Sequence, residues 1–353
     1  MSQVVDVVII GAGQAGLAMG YYLQRAGLDY LIVDANAQVG GSWQHYWDSV
    51  TLFSPAQYSQ LPGLDFPGDP NRYPSREAVI AYLRGYAAHF NMPVCTAFRV
   101  ADVKQADDLF HITDEGGRTV CGRALVVATG AFNRPYIPDI PGMADYQGCV
   151  MHSFEYRRPD ALVAQRIVVV GSNNSAVQIG YELATVADVS LAVRRPIQWT
   201  PQRILGKSVF FWFHDTGLDM LPLGYLFDLD DIDNVFDDGR YRSAVAAGRP
   251  DTRPMFTAFT GDGVVWGDGL HEQVDTVLFA TGFRPDNLPF LDGLDNALCD
   301  KGLPHERGGV STTVDHLYYM GRFGQLSSAS ATLRGVGRDA QFVSKRIIRD
   351  LVK

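Results

Sequence analysis

Nearly continuous apolar runs recur along the chain, and each leads into a glycine-containing segment. They lie at residues 4–10 (VVDVVII), 124–128 (ALVVA), 166–170 (RIVVV) and 276–280 (TVLFA). Apolar runs of this length are typical of parallel strands that are buried on both faces. Helical patterns follow the first and third runs, at Leu17–Ala26 and after Ala176. The alternation predicts an α/β fold with two dinucleotide-binding, Rossmann-like units.

Two further helices are indicated by the pattern. The segment PSREAVIAYLRGYAAHF at 74–90 predicts a helix with Ser75 as its N-cap. The C-terminal segment ATLRGVGRDAQFVSKRIIRDLVK at 331–353 predicts a glycine-broken turn followed by a closing helix.

The first apolar run leads into a complete G-x-G-x-x-G motif, formed by Gly11, Gly13 and Gly16. In such a motif the first glycine allows the tight turn, the second leaves space for a pyrophosphate, and the third lets helix and strand pack closely. Asp34 ends the next short strand, 23 residues after Gly11, where a carboxylate can accept both ribose hydroxyls of an adenosine. The unit is therefore predicted to bind FAD or NAD.

The second unit, RIVVVGSNNSAVQIGYELA at 166–184, departs from the motif at one position. Gly171 is the first glycine, and Ala176 replaces the third, which the pattern allows. Asn173 replaces the second; because asparagine tolerates positive φ better than other non-glycine residues, we expect the turn to survive. Its amide could donate to a phosphate or crowd one. We expect a working nucleotide site that includes Ser175, with an altered pyrophosphate contact; a βαβ crossover without a ligand is the alternative.

The strand after this second motif ends in Arg194 and Arg195. Arg194 lies 23 residues after Gly171, the interval that separates Gly11 from Asp34. A carboxylate suits an unmodified ribose, whereas a guanidinium can bind a 2′-phosphate through two hydrogen bonds. The first unit is therefore predicted to bind FAD and the second NADPH, with NADH use left open. A solvated strand end is the alternative for the two arginines.

The tripeptide Ala-Thr-Gly occurs twice at the end of an apolar run, and we interpret the two copies as the points where the chain crosses between domains. An FAD domain is predicted at residues 1–150 and 286–353, with an NADPH domain inserted at 151–285. All six residues are candidates for nucleotide binding: Ala128, Thr129, Gly130, Ala280, Thr281 and Gly282. Chance recurrence at buried strand ends is the alternative.

Composition narrows the class of protein. Lys and Arg number 30 against 39 Asp and Glu, a net charge of −9, which disfavours nucleic-acid and anionic-membrane partners. No apolar run approaches the ~20 residues of a membrane span. Strand-like sequence from Val4 onward leaves no room for a signal peptide, so a cytoplasmic location is expected. The four cysteines form no C-x-x-C pair, which argues against a disulfide reductase.

The order of motifs resembles that of the class B flavin-dependent monooxygenases, and of their short bacterial members in particular. The most specific element of that family is a linker with the pattern F-x-G-x-x-x-H-x-x-x-[FY], and YQGCVMHSFEY at 146–156 is similar to it. The resemblance implies FAD and NADPH as cofactors. It also implies that His152 joins the two domains and organises the nicotinamide side, without binding a metal. Tyr156, where Baeyer–Villiger members carry Trp, favours the branch that oxidises heteroatoms.

The resemblance also implies which residues lie beside the flavin. The GGSW segment at 40–43 is expected next to the isoalloxazine ring, with core packing as the alternative for its indole. The loop after that segment stands roughly where relatives carry a flavin-side asparagine, so a serine, a water or the nicotinamide would supply the hydrogen bond there. Gly321 and Arg322 are expected to return near the flavin. The catalytic candidates are Trp43, Ser54 and Gln325, and the cofactor-binding candidates of the GGSW segment are Gly41, Ser42 and Trp43.

The activity implied is a monooxygenase reaction on a small molecule. Hydride would pass from NADPH to the flavin, and one oxygen atom of O2 would be transferred through a flavin C4a-(hydro)peroxide. The acceptor is expected to be a sulfide, an amine or, in the Baeyer–Villiger direction, a ketone. An NADPH oxidase or reductase that oxygenates nothing is the main alternative, and a redox sensor is another. The oligomeric state is open, with a homodimer as one possibility.

Overall fold

The structure, a computed structural model, describes residues 4–217, 234–284 and 287–352. Its helices are α1 (Gln14–Arg25), α2 (Arg76–His89), α3 (Asn174–Leu183), α4 (Val209–Asp215), α5 (Arg240–Ala246) and α6 (Leu333–Leu351). Its strands are β1 (Val4–Ile10), β2 (Tyr30–Val33), β3 (Val94–Cys95), β4 (Val100–Ala106), β5 (Leu109–Asp114), β6 (Thr119–Val127), β7 (Arg134–Pro135), β8 (Cys149–His152), β9 (Arg166–Val170), β10 (Asp188–Val193), β11 (Gln198–Pro201), β12 (Arg203–Ile204), β13 (Lys207–Ser208), β14 (Asn234–Asp237), β15 (Asp251–Pro254), β16 (Ala258–Phe259), β17 (Gly263–Val265), β18 (His271–Gln273), β19 (Thr276–Phe279), β20 (Phe283–Arg284), β21 (Glu306–Arg307), β22 (Val310–Ser311) and β23 (Leu317–Tyr319).

A large sheet is built from both ends of the chain. Its strand order is β21-β22-β23-β6-β1-β2-β3, and β5 and β4 extend from β6 as antiparallel strands. β1 pairs in parallel with β2 and with β6, which places Ile10 beside Val33 and Val127. Since the carboxyl ends of parallel strands meet at one edge of the sheet, the segments that follow β1, β2 and β6 lie together there.

A second, parallel sheet comes from the middle of the chain. Its strand order is β15-β10-β9-β19-β8, and all of its strands fall within residues 149–279. One Rossmann-like unit is therefore inserted into the other, which confirms the predicted fold class. β8 begins at Cys149 and pairs with β19, so the expected boundary between residues 150 and 151 runs through a strand of the inserted unit.

The two chain crossings between the sheets lie side by side. β7 follows the first Ala-Thr-Gly, β20 follows the second, and the two strands pair antiparallel. The Tyr136 N–H donates to the carbonyl of Gly282 at 3.1 Å, and the Thr281 hydroxyl donates to the carbonyl of Tyr136. The two Ala-Thr-Gly segments are thus joined by a short ribbon, a contact that their separation in the sequence did not predict.

The helices follow the predictions with one exception. The Ser75 hydroxyl accepts a hydrogen bond from the N–H of Ala78 at 3.3 Å, which makes Ser75 the N-cap of α2. α6, however, runs unbroken from Leu333 through Gly335 and Gly337. A Cβ on Gly337 would lie 2.7 Å from the ring of Pro62, and one on Gly335 would overlap Ala329. The predicted glycine-broken turn was wrong because these glycines serve close packing.

Both sheets are covered on both faces. One apolar cluster lies where α1, α2 and α6 pack on the large sheet, and a second lies on the opposite face around Phe98, Phe110 and Leu291. Two further clusters flank the inserted sheet. Each fully buried Val, Leu, Ile or Phe contributes about 1.5–3 kcal/mol relative to exposure. Burial of both faces explains why the strands read as nearly continuous apolar runs.

Candidate functional site

The first glycine loop is held between the ends of β2 and β6. Gly11 has φ +114°, and its N–H donates to the carbonyl of Val33 at 2.7 Å. The N–H of Ala128 donates to the carbonyl of Ile10 at 2.8 Å. A Cβ on Gly11 would overlap the Ala128 carbonyl. Both the backbone angle and the lack of space therefore require glycine at position 11.

The second glycine loop repeats this arrangement in the inserted unit. Gly171 has φ +143°, and its N–H donates to the carbonyl of Ala192 at 3.0 Å. The N–H of Ala280 donates to the carbonyl of Val170 at 2.8 Å. A Cβ on Gly171 would lie 2.7 Å from the Ala280 carbonyl oxygen. Each Ala-Thr-Gly therefore begins against the first glycine of its own unit, with Thr129, Gly130, Thr281 and Gly282 following at that edge.

The ends of both loops fit the phosphates of a dinucleotide. The N-cap residues of α1 and α3 are Gly13 and Asn173, and neither caps its helix with a side-chain hydrogen bond. Free N–H groups at a helix N-terminus attract anions. Among the described residues beyond its chain neighbours, a Cβ on Gly13 would have only the Cα of Gly41 within 4 Å, at 3.5 Å. The first loop is therefore open where a pyrophosphate would approach. Ser175 and Ala176 lie in the first turn of α3.

The expectation that Asn173 is tolerated in the turn because asparagine accepts positive φ was wrong. Asn173 has φ −94° and ψ −179°, and Gly13, at the same position of the first unit, has φ −85° and ψ −173°. This position is extended in both units, a conformation that any residue adopts. Positive φ is found two residues earlier, at Gly11 and Gly171. The asparagine therefore affects the space at the loop and leaves the turn unstrained. The third glycine of the first motif lies in a crowded place, unlike the second, because a Cβ on Gly16 would overlap the Gly11 carbonyl.

The equal spacing of Asp34 and Arg194 does not correspond to equal register. β1 pairs Ile10 with Val33, whereas β9 pairs Val170 with Ala192. Counted along each ladder, Asp34 is matched by Val193, and Arg194 lies one residue further on. The connection between the paired strands is one residue shorter in the inserted unit, which offsets the shift and makes the two intervals equal.

Asp34 and the two arginines differ in environment. The Asp34 carboxylate is buried and accepts from the N–H of Ala12 at 2.5 Å and from the N–H and side-chain amide of Asn36 at 2.7 and 2.9 Å. Arg194 and Arg195 are exposed. Among the described residues, no carboxylate pairs with Arg194, so its guanidinium is available to an anion at the carboxyl end of β10. Its contact with a 2′-phosphate stays a prediction.

The GGSW segment folds over the first glycine loop. Gly41, Ser42 and Trp43 lie in a 3-10 turn at Gly41–His45. Gly41 has φ +54°, and a Cβ there would lie 2.8 Å from the Cα of Gly13. The indole Nε1 of Trp43 donates to the side-chain oxygen of Gln14 at 3.0 Å. The turn therefore rests directly on the residues that begin α1.

The other two catalytic candidates have their polar groups engaged elsewhere. The Ser54 hydroxyl lies 2.8 Å from the hydroxyl of Ser59, and the neighbouring Phe53 stacks on Phe236 of the inserted unit at 4.9 Å between ring centroids. Gln325 is 4 % exposed. Its amide donates to the carbonyl of Tyr319 at 3.1 Å and accepts from the N–H of Arg322 at 3.4 Å. These contacts give Gln325 a role in holding its own loop, and they do not support a catalytic one.

The histidine of the linker motif contacts the second crossing. His152 is buried at the end of β8, and its Nε2 lies 3.0 Å from the carbonyl oxygen of Gly282. Its Nδ1 accepts from the N–H of Phe154 at 3.1 Å, which leaves the ring proton on Nε2 as the donor to Gly282. Burial lowers the pKa of His152, so the ring is neutral. The geometry suits the joining role implied for it.

Tyr156, the last residue of that motif, faces the interior of the inserted unit. It is 2 % exposed and its hydroxyl donates to the carboxylate of Glu182 at 2.7 Å. Trp47, Val50 and Ala280 belong to the same apolar cluster. Burial and the nearby carboxylate both raise the pKa of the Tyr156 phenol. The side chain is therefore committed to packing, and its association with the heteroatom-oxidising branch stays a prediction.

A chain of aromatic rings connects the FAD loop to the linker. The centroid distances are 5.2 Å from Trp43 to Tyr46, 6.3 Å from Tyr46 to Phe132, 5.4 Å from Phe132 to Phe283 and 5.2 Å from Phe283 to His152. Trp43 and Tyr46 belong to the GGSW turn and the residue after it, Phe132 and Phe283 follow the first and second Ala-Thr-Gly, and His152 belongs to the linker motif. No sequence pattern indicated this chain of rings, because its members are brought together only by the meeting of the two units.

A cleft of about 620 Å³ opens between the two units. Thr51, Leu52 and Tyr73 of the large unit form one wall, and residues 199–203 and 237–240 with Arg242 form the other. A volume of this size is typical of sites for small organic molecules. The cleft begins beside the loop that carries Ser54.

Other kinds of site find no counterpart in the described part of the chain. There, no three His, Cys, Asp or Glu side chains are grouped so that they could hold a metal ion. Cys95, Cys121, Cys149 and Cys299 are free. Within residues 4–217, 234–284 and 287–352, no helix combines the length and apolar character needed to cross a bilayer.

The chain is similar both to a known family and to single known relatives over most of its length. The family model described as pyridine nucleotide-disulphide oxidoreductase matches residues 8–205. An uncharacterized CzcO-like oxidoreductase of Geobacillus kaustophilus is 34 % identical over 351 residues, covering 99 % of both chains. The rice indole-3-pyruvate monooxygenase YUCCA1 is 29 % identical, covering 96 % of this chain and 90 % of its own.

A solved structure is similar over nearly the whole chain. The flavin-containing monooxygenase from Stenotrophomonas maltophilia is 32 % identical, with a TM-score of 0.85, and the match covers 98 % of this chain and 99 % of that one. The similarity spans both nucleotide units, including the region beyond residue 205.

Proposed function

Because the chain belongs to the pyridine nucleotide-disulphide oxidoreductase family and, within it, to the FAD- and NADPH-dependent flavin monooxygenases, we propose that it transfers one oxygen atom of O2 to a soft nucleophile, a sulfide or an amine. A ketone is the second class of acceptor. The observation that carries the proposal is the pairing of β7 with β20, which holds the exits of the two nucleotide units together. Two nucleotides held across such a ribbon suit the transfer of hydride from one to the other.

When bound, the two cofactors would supply the redox chemistry, which is hydride transfer and reaction with O2. The chain holds and orients them. The open loop at Gly13 and the N-terminus of α1 would bind the FAD pyrophosphate, and Asp34 the adenosine ribose. The N-terminus of α3 would bind the NADPH pyrophosphate, and Arg194 the 2′-phosphate.

The chain offers no obvious dithiol as the next electron acceptor. Its four cysteines are far apart in sequence, with no C-x-x-C pair, and all four are free thiols. The proposal therefore places the small-molecule acceptor in the interdomain cleft. Leu52, Tyr73 and Trp199 suit an apolar or aromatic body on that molecule. The same cleft is also lined by charged side chains, which suit a polar group at the other end of the molecule: Arg203, Asp237, Asp238, Arg240 and Arg242.

One observation favours a second function, an NADPH oxidase that releases peroxide. The Ser54 hydroxyl already bonds to Ser59, so the donor expected at the flavin edge is engaged. Without a donor that steadies the reacting oxygen, the oxygen would leave as peroxide before transfer.

The experiment that separates the two functions measures products per NADPH. The enzyme is given NADPH, isotopically labelled O2 and one of three probes, an alkyl aryl sulfide, a tertiary amine or a cyclic ketone. The proposal expects labelled sulfoxide or N-oxide in an amount close to the NADPH consumed. Stoichiometric peroxide with every probe would establish the oxidase, and lactone with no sulfoxide would move the assignment to the ketone class.

A further inference from the structure

We propose that Gln14 is a positioning residue of the FAD site, whose amide fastens the Trp43 indole and the segment before α6 to the first glycine loop. Gln14 is an unspecified position of G-x-G-x-x-G, so the motif assigns it no role. The proposal rests on FAD binding, which the proposed function shares. Its test reads FAD retention and the state of the indole, and therefore needs no oxygenated product.

Both ends of the Gln14 amide are used. The oxygen Oε1 accepts from Nε1 of Trp43 at 3.0 Å, and Nε2 donates to the carbonyl oxygen of Ala331 at 2.7 Å. The two partners lie 29 and 317 residues away in sequence. Gln14 itself is the first residue of α1. One side chain therefore joins the glycine loop, the GGSW turn and the C-terminal return of the chain.

The same three segments approach one another closely through glycine. A Cβ on Gly41 would lie 2.8 Å from the Cα of Gly13, and one on Gly321, which has φ +78°, would lie 2.9 Å from the Cβ of Ala15. Van der Waals contact of this kind brings surfaces together but allows them to slide. Hydrogen bonds to an indole and to a carbonyl fix direction, and so determine how the Trp43 ring is presented to the flavin.

The side chain chemistry makes the amide hard to replace. Leucine removes both hydrogen bonds at similar size. Glutamate keeps an acceptor for the indole but sets a carboxylate oxygen against the Ala331 carbonyl, where the amide N–H now donates. The two variants therefore separate the bond to Trp43 from the bond to Ala331.

The inserted unit supplies a matched control at the equivalent position. Asn174 begins α3 as Gln14 begins α1. Its Nδ2 donates to the carbonyl of Asn234 at 2.9 Å, and its Oδ1 accepts from the N–H of Phe236 at 3.1 Å. It also joins its glycine loop to a distant segment, but on the NADPH side. Asn174→Leu removes two hydrogen bonds of the same kind without touching the FAD loop.

The test measures FAD retention by dilution of the holoenzyme and follows the indole N–H signals by NMR. The chain has five tryptophans, and Trp43→Phe identifies the signal of Trp43. Gln14→Leu is expected to raise the FAD dissociation constant about tenfold or more, since each lost bond is worth about a factor of five to ten. It should also shift the Trp43 signal and speed its hydrogen exchange. Gln14→Glu should shift that signal less and still weaken FAD retention.

A double-mutant cycle decides whether Gln14 acts through Trp43. Gln14→Leu and Trp43→Phe should be non-additive in FAD retention, because the two changes remove one shared bond. Asn174→Leu should leave FAD retention within about twofold, the scatter expected for an unrelated site. Unchanged FAD retention and an unmoved Trp43 signal in Gln14→Leu would overturn the proposal, as would full additivity with Trp43→Phe or an equal loss of FAD in Asn174→Leu.

Discussion

The Nε2 atom of His152 lies 3.0 Å from the carbonyl oxygen of Gly282, 130 residues further along the chain. The contact ties the linker motif to the second of the two Ala-Thr-Gly crossings. Because Nδ1 accepts from the N–H of Phe154, the ring must be neutral for both bonds to exist. Protonation of Nδ1 would remove the bond from Phe154, whereas Nε2–H would still donate to the Gly282 carbonyl.

Stability should depend on pH through His152. Burial lowers its pKa in the folded chain, so the unfolded chain takes up more protons as the pH falls below about 6.5. The stability that the neutral ring provides at neutral pH is therefore lost as the pH drops through that range toward the folded pKa. At pH 7.5, His152→Gln should lower the free energy of unfolding by about 1 kcal/mol. The difference in unfolding free energy between this variant and wild type should be smaller at pH 5.5. Urea unfolding at both pH values measures this difference. A difference that grows on acidification would contradict a neutral His152 ring.

Arg194 should determine the preference for NADPH over NADH. Loss of a charge-assisted pair to a phosphate costs about 1.5–3 kcal/mol, or roughly ten- to a hundredfold in apparent affinity. Arg194→Gln should therefore raise the KM for NADPH by that factor and leave the KM for NADH within about twofold. Steady-state NADPH and NADH oxidation give both values on one preparation, with Arg349→Gln, an exposed arginine of α6, as the control. Equal increases in the KM values for NADPH and NADH would contradict the assignment of Arg194 to the 2′-phosphate.

Comparing Gly11→Ala with Gly130→Ala separates the cost of backbone strain from the cost of lacking space for a Cβ. Both have positive φ, +114° and +84°. A Cβ on Gly11 would overlap the Ala128 carbonyl, whereas one on Gly130 would meet no described residue within 4 Å apart from its chain neighbours. Gly130→Ala should cost about 1–2 kcal/mol of strain. Gly11→Ala carries that strain and a clash with backbone, so it should cost at least twice as much and lower the FAD content of the purified protein. Urea midpoints and the ratio of flavin to protein absorbance test both; equal costs would mean that the loop can move away from Ala128.

Tyr156→Phe should alter stability and leave substrate preference unchanged. The phenol is buried and donates to Glu182 at 2.7 Å, so its removal leaves a carboxylate without that partner, at about 1–3 kcal/mol. Tyr146→Phe, which loses a bond to the Val274 carbonyl at 2.7 Å, is the control at the other end of the motif. The ratio of sulfide to ketone oxidation should match wild type in both. A tenfold or larger change of that ratio in Tyr156→Phe alone would show that this tyrosine influences the choice of substrate.

The pattern of the sequence by itself determined the parts of this protein that obey local rules. A strand buried on both faces must be apolar, and a turn at positive φ directly against a carbonyl must be glycine, so the units around Gly11 and Gly171 were predictable. The order of motifs along the chain then identified the family, and with it FAD and NADPH. Because these requirements act between residues that are close in sequence, they produce motifs of fixed spacing that can be recognised from the sequence.

Only the tertiary structure decided how distant segments meet. The one-residue offset of Arg194 from the register of Asp34 is invisible in the spacing, since a shorter connection hides it. The partners of Gln14 lie 29 and 317 residues away, and the bonds that occupy Ser54 and Gln325 follow from loop packing. A side chain's hydrogen bonds depend on which backbone groups packing leaves within about 3 Å, and no linear pattern records that distance.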